Sequence, residues 1–273
     1  MSIMGKAAGI QEALRNGCGH PSHDEAINSI PGLFEPWDDM PEPSQFDTAM
    51  TSLAAAMTNL SSGEVDSDPI SNTPVSVNMN LLEINSVAGE LTEWEGEAME
   101  SFRDHVQTPF PGVTKNLYNA AAVLYGAAEA EKAMWEAATN DLNEIADKAI
   151  SAADKMCETG SGQASFWITV TASVVGVVLA VPTAGASVAA VAGVFAVVGS
   201  GVATDWNIDT PEEAVEKMAS ALQTLQEKLH ETESKIQAAL DGVNEALAEG
   251  GNGYQLLSSV SLFDGPGGIE GRG

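Results

Sequence analysis

The sequence predicts an all-α fold: an elongated bundle of long antiparallel helices with a helical hairpin and a central hydrophobic hairpin. Three observations lead there. Alanine is abundant and aromatic residues are only 5% of the chain, a balance that favours helix. Apolar residues recur at three- and four-residue steps through 78–157 and again through 211–247. Between those stretches, Thr159 to Thr204 form 46 residues without one ionisable side chain.

Taken in order, residues 1–75 read as an irregular acidic N-terminal region with one short helix. Pro21, Pro31, Pro36, Pro41 and Pro43 punctuate residues 1–45, and the short amphipathic helix covers about 46–61. It ends in the Ser-Ser-Gly turn at 61–63, and EVDSDPISNTPV at 64–75 has the composition of a linker. Residues 76–158 read as a helical hairpin. Ile84, Val87, Leu91 and Trp94 step by 3, 4 and 3 and share one face. Ala98, Phe102 and Val106 continue the stripe until PFPG at 109–112 interrupts it. A second helix runs from about 112 to 157, with Leu117, Leu124, Met134, Ala138, Leu142, Ile145 and Met156 on its buried side.

Residues 159–206 are the hydrophobic hairpin, uncharged as far as Thr204 and turning near Pro182–Gly185. As helices, arms of about 16 residues would reach about 24 Å, short of the roughly 30 Å hydrocarbon core of a bilayer. Twelve valines between 166 and 202 are equally compatible with a two-stranded tongue. Residues 207–250 open with Thr210-Pro211-Glu212-Glu213, which supplies an N-cap, a proline at the first helical position and first-turn acids. Val215, Met218, Leu222, Leu225, Leu229, Ile236, Leu240, Val243 and Leu247 follow at mostly heptad spacing, with Thr232 where an apolar residue is expected. That seam calls for a partner, either the 112–157 helix or another subunit. The tail, 251–273, closes on Ile269-Glu270-Gly271-Arg272-Gly273, which reads as an appended protease-recognition sequence.

Composition limits function. The 273 residues hold 11 Lys and Arg against 39 Asp and Glu, a net charge of −28. Nothing in that balance neutralises a run of phosphates, so nucleic acid is excluded as a partner. Residues 16–102 contain no Lys or Arg and 16 carboxylates. With 44% hydrophobic residues, the chain is nevertheless too apolar for an acidic disordered protein. The N-terminus lacks the apolar core of a Sec signal peptide. Cys18 and Cys157 fit either a disulfide or two thiols.

Trp94-Glu95-Gly96 sits within WEGEAMESF, where a Trp ends one apolar stripe and Gly permits a tight bend beneath it. On that reading Trp94 plugs the apex as a core residue, and acids restart the helix where its dipole favours them. Downstream, Tyr125-Gly126-Ala127-Ala128-Glu129 spaces an aromatic and an acid by one helical turn. This combination resembles the WXG100 superfamily of type VII secretion substrates, with the W-x-G-E-A-x-x-x-F pattern closest to its actinobacterial members. The resemblance covers about 78–157. It implies that Trp94 and Gly96 shape the hairpin bend and that Tyr125 and Glu129 form an export element. Three departures are visible: the chain is longer than the family core, the interval from Trp94 to Tyr125 is short for the family, and PFPG breaks the second helix.

The candidate membrane element is 166–202, with Phe166, Trp167, Val174, Val178, Leu179, Val191, Val194, Phe195 and Val198 as its large apolar residues. It has three readings: permanently buried, inserting into a bilayer after a conformational change, or a constitutive anchor. No Lys or Arg flanks it closely, which places the anchor last. A hydrophobic hairpin between long amphipathic helices is similar in layout to α-helical pore-forming toxins of the ClyA type.

Cys18, His20, His23 and Asp24 have metal-ligating side chains, but in a Gly- and Pro-rich loop without a second ligand pair. His105 and His230 fall on helices. No phosphate loop, nucleophile elbow or H-E-x-x-H motif is present. The expectation is therefore a non-enzymatic protein without metal or cofactor. It would be secreted or held at the cell surface by the type VII machinery, homo-oligomeric, and able to meet a lipid membrane. The alternatives are a pore-forming toxin with a concealed insertion hairpin and a helical adaptor delivering another effector.

Overall fold

The computed structural model describes residues 2–18, 23–63, 68, 74–91, 94–158, 164–170, 174–178, 194–198 and 202–249. It is mostly helical, as the periodicity predicts. Helices α1 (Ile3–Cys18), α2 (Asp24–Phe34), α3 (Asp47–Leu60), α4 (Met79–Glu90), α5 (Glu97–Phe102), α6 (Phe110–Glu158) and α7 (Pro211–Glu249) follow one another. Strands β1 (Ala164–Val170), β2 (Val174–Val178), β3 (Val194–Val198) and β4 (Val202–Ile208) lie between the last two. Contacts divide the chain into two compact units, the first of 1–45, 130–176 and 196–235 and the second of 46–129, 177–195 and 236–273.

The first unit corrects the reading of residues 1–45 as irregular. Ser2 Oγ accepts from Gly5 N at 3.1 Å and caps α1. Ala7, Ile10 and Leu14 then step along its buried face. Pro31 lies inside α2, yet Ile27, Ile30 and Phe34 are almost fully buried around it. These side chains join Met134, Ala138, Leu142 and Ile145 of α6 and Met218, Leu222, Leu225 and Leu229 of α7 in one cluster. Burial of each large apolar side chain contributes about 1.5–3 kcal/mol, comparable to the roughly 3 kcal/mol penalty of a proline inside a helix. Tertiary packing therefore decides what local punctuation obscures. The Lys6–Asp147 ion pair at 2.8 Å decorates the same face.

Helix α7 begins as predicted. Thr210 Oγ1 accepts from Glu213 N at 3.3 Å and so satisfies one free helix-end donor, and Glu213 Oε2 accepts from Asp209 N, just before the cap, at 2.8 Å. Its heptad residues Met218 to Leu229 are filled within the chain itself. Thr232, 1% exposed, donates its Oγ1 hydroxyl to Lys228 O at 2.9 Å, which lets a polar residue occupy the seam.

The second unit is built on α3, α4, α5, the beginning of α6 and the end of α7. Met57, Tyr118, Ala121 and Ala122 form one small cluster, and Val123 packs with Val243 in another. Asn78 caps α4 through Asn80 N at 3.1 Å and ties it to α3 by donating to Asn59 O at 2.9 Å. Ser62 and Thr114 hydroxyls meet at 2.9 Å where both are buried. The apolar stripe of α4 is legible but faces outward: Ile84 is 45% exposed and Val87 42%. Leu124, expected on the buried side of α6, is likewise exposed, and the side chain of Met156 lies outside the described residues.

The hydrophobic hairpin is where strands replace helical arms. β1 pairs antiparallel with β4, from Ala164 opposite Ile208 to Val170 opposite Val202, and β2 pairs with β3. The order is nested, the outer pair enclosing the inner pair in sequence. Valine explains the choice: its branched Cβ loses rotamer freedom in a helix and suits a pleated ladder.

Candidate functional site

The bend at Trp94–Gly96 joins α4 to α5 within the second unit. Trp94 N donates to Leu91 O at 3.1 Å, closing a turn after α4. Gly96 then adopts φ 117° and ψ 162°, a backbone region open in practice only to glycine. Its carbonyl accepts from Met99 N and Glu100 N, both at 3.0 Å, and so starts α5. Glu97 and Glu100 occupy the first turn, where the helix dipole favours carboxylates.

Arg103, the first cation after Arg15, locks the bend. Its guanidinium donates to Leu91 O at 2.7 Å, which also accepts from Trp94 N, and to Trp94 O at 3.2 Å. The sequence pattern gave no reason to single it out, although an isolated Arg in a cation-free stretch is the signal that would have done so. A π-helical turn, Arg103–Gln107, follows, with Thr108 N donating to Arg103 O at 2.8 Å. That widened turn absorbs Pro109 and Pro111 and lets α6 begin at Phe110.

Trp94 itself is 64% exposed, which corrects its assignment as a core plug. Its backbone is anchored while its indole stands in solvent. Met99 takes the buried position instead. Beside the bend, Ile84, Val87, Leu91, Phe102, Val106 and Phe110 line an apolar groove of about 250 Å³. With Met79 at 61% exposure, this face of the hairpin presents far more apolar surface than a lone exposed residue.

Tyr125 and Glu129 lie one turn apart on α6 and line one cavity of about 340 Å³, together with Met57, Asp68, Val75 and Tyr118. Tyr118 is only 2% exposed, and burial, with the nearby Asp68 carboxylate adding, pushes its phenol up to about 12. Two full turns separate Tyr118 from Tyr125, so their shared face was readable from spacing alone.

The candidate membrane residues fall on the strands. Phe166 and Trp167 are on β1, opposite Trp206 and Asp205 in the register. Val174 and Val178 bound β2, and Val194, Phe195 and Val198 are on β3. Leu179 and Val191 lie outside the described residues. Among the described residues, no helix is long and apolar enough to cross a membrane.

The N-terminal histidine cluster resolves differently. His23 Nδ1 meets Glu212 Oε1 at the start of α7, and this hydrogen bond is the main reason that the Glu212 carboxyl is held below its ordinary range. Cys18 ends α1, Asp24 begins α2, and His20 lies outside the described residues. Among the described residues, no group of three His, Cys, Asp or Glu side chains comes together as a metal site. His105 Nδ1 lies 2.9 Å from Ser101 O on its own helical turn. Compared with known proteins, the chain matches no family model, no curated protein and no solved structure.

Proposed function

We propose that the chain is a non-enzymatic, WXG100-like protein exported by a type VII secretion system. One observation carries this reading: the Trp-x-Gly tripeptide stands at a bend between two helices, where Gly96 takes a glycine-only conformation. A motif met by chance has no reason to fall at such a place. Tyr125 and Glu129 add weight because they face one cavity on the helix that follows. The exposed indole and the paired Tyr–Glu side chains are the surfaces that the secretion machinery reads.

Self-association runs through the exposed apolar face of Met79, Ile84, Val87 and Trp94, because Met218, Leu222, Leu225 and Leu229 of the α7 seam are already buried within the chain. The protein acts outside the cytoplasm or at the cell surface, where the uncharged 159–204 segment meets a lipid membrane. Replacing Tyr125→Ala together with Glu129→Ala is expected to cut the exported fraction at least tenfold with the intracellular level maintained. Unchanged export would remove these residues as a signal.

A second reading, a pore-forming toxin, is favoured by the placement of the nested strand pairs between two long helices, α6 and α7. It requires that the uncharged segment enter a bilayer. Vesicles loaded with dye test it: release on lowering pH or changing lipid supports the pore. Intact vesicles under every condition, with 159–204 present, would overturn it.

A further inference from the structure

In the first unit, a cavity of about 310 Å³ opens between the proline-rich turn after α2 and the helices α6 and α7. Its walls are aromatic and apolar: Trp37, Trp135, Met40 and Leu229. Trp37 is 8% exposed, so one indole is fixed in the core cluster. The second is held by its own helix, with Trp135 Nε1 donating to Glu131 Oε2 at 3.1 Å. Asp39 and Glu233 supply carboxylates to the lining, which also holds Gln226 and His230 but neither Lys nor Arg. Burial raises the Glu131 carboxyl above its ordinary range, the Trp135 bond opposes this, and the negative charge of Glu233 adds to the rise.

Two indole side chains, apolar neighbours and two carboxylates around one cavity are the side-chain types with which proteins hold an alkylated ammonium ion. A positive charge in this cavity would gain the attraction of the indole quadrupoles and of the Asp39 and Glu233 carboxylates. A metal ion would require ligands that converge, and among the described residues no three His, Cys, Asp or Glu side chains do so. The size is at the low end for small-molecule sites, suited to a head group. We infer that this Trp37–Trp135 cavity binds a quaternary ammonium group of the choline type, supplied either free or as a lipid head group. The inference is independent of the export reading.

Calorimetric titration of the full chain with choline chloride, against sodium and ammonium chloride at equal ionic strength, tests it. Choline should bind at least tenfold more tightly than ammonium, and the indole N–H resonance of Trp135 should shift on binding. Glu233→Gln, on an exposed position that leaves folding intact, should weaken choline at least threefold, and Trp135→Leu at least tenfold. Co-sedimentation with phosphatidylcholine and phosphatidylglycerol vesicles separates the sources: binding to neither, with free choline bound, assigns a soluble ligand. Preference for phosphatidylcholine assigns the head group. Equal affinity for choline and ammonium, no binding of choline, or choline binding unaffected by both substitutions would overturn the proposal.

Discussion

Phe34→Ala is expected to destabilise the first unit by about 3–5 kcal/mol, the range for emptying a buried aromatic site. Phe34 is 0% exposed and packs in the cluster that contains Ile10, Ile27 and Ile30 together with residues of α6 and α7. Its removal leaves a void between the N-terminal helices and the long ones, and the proline-punctuated backbone around Pro31 has little freedom to collapse into it. Urea unfolding followed by far-ultraviolet circular dichroism measures the loss as a lower midpoint at unchanged slope. A change below about 1 kcal/mol would mean that residues 1–45 do not belong to the core.

Gly96→Val is expected to cost about 1–3 kcal/mol, the strain of placing a non-glycine residue in this backbone region. No atom lies within 4 Å of an added Cβ at Gly96, so the penalty comes from φ 117° and not from a clash. Gly112→Ala provides the opposite sign. It also has open space around the added carbon, but it lies in the first turn of α6 without a positive φ, and should stabilise by about 0.4–1 kcal/mol. Trp94→Ala, at an exposed indole, should change stability by less than about 0.5 kcal/mol. Thermal unfolding of the three variants separates the roles: Gly96 shapes the bend, whereas the exposed indole of Trp94 adds little to stability. A neutral Gly96→Val would contradict the geometry of the bend.

These contrasts show which features a linear reading captures. The start of α7 was legible because Thr210, Pro211 and Glu213 act within one turn of each other. The extent of α6 was legible because its apolar residues recur over many turns. Helices α1 and α2 were missed although Ser2 and the spacing of Ala7, Ile10 and Leu14 carry the signals. The prolines that follow argued for loop, and only tertiary burial outweighs them.

The α4 stripe is periodic as the spacing predicts, yet it faces outward, because periodicity identifies a face without saying what covers it. The same holds for Trp94. The strands of the hydrophobic segment rest on a preference that valine has for ladders, which competes with the helical pull of its many alanines. Trp37, Trp135 and Glu233 come together from separate stretches of chain, and no local pattern links them. The Tyr118–Tyr125–Glu129 face, in contrast, was available from helical spacing and was only half read.

The central claim is export by a dedicated secretion system of a chain whose bend and α6 surface are read by the machinery. It is tested most directly by expressing the full chain in an actinobacterial host with an intact type VII system and in the same host lacking its motor ATPase. Quantitative immunoblotting of cells and medium then reports where the protein is. The account predicts accumulation in the medium or at the cell surface of the intact host and retention inside the motor-deficient one. Equal amounts outside both hosts, or retention in both with the protein folded and intact, would contradict it.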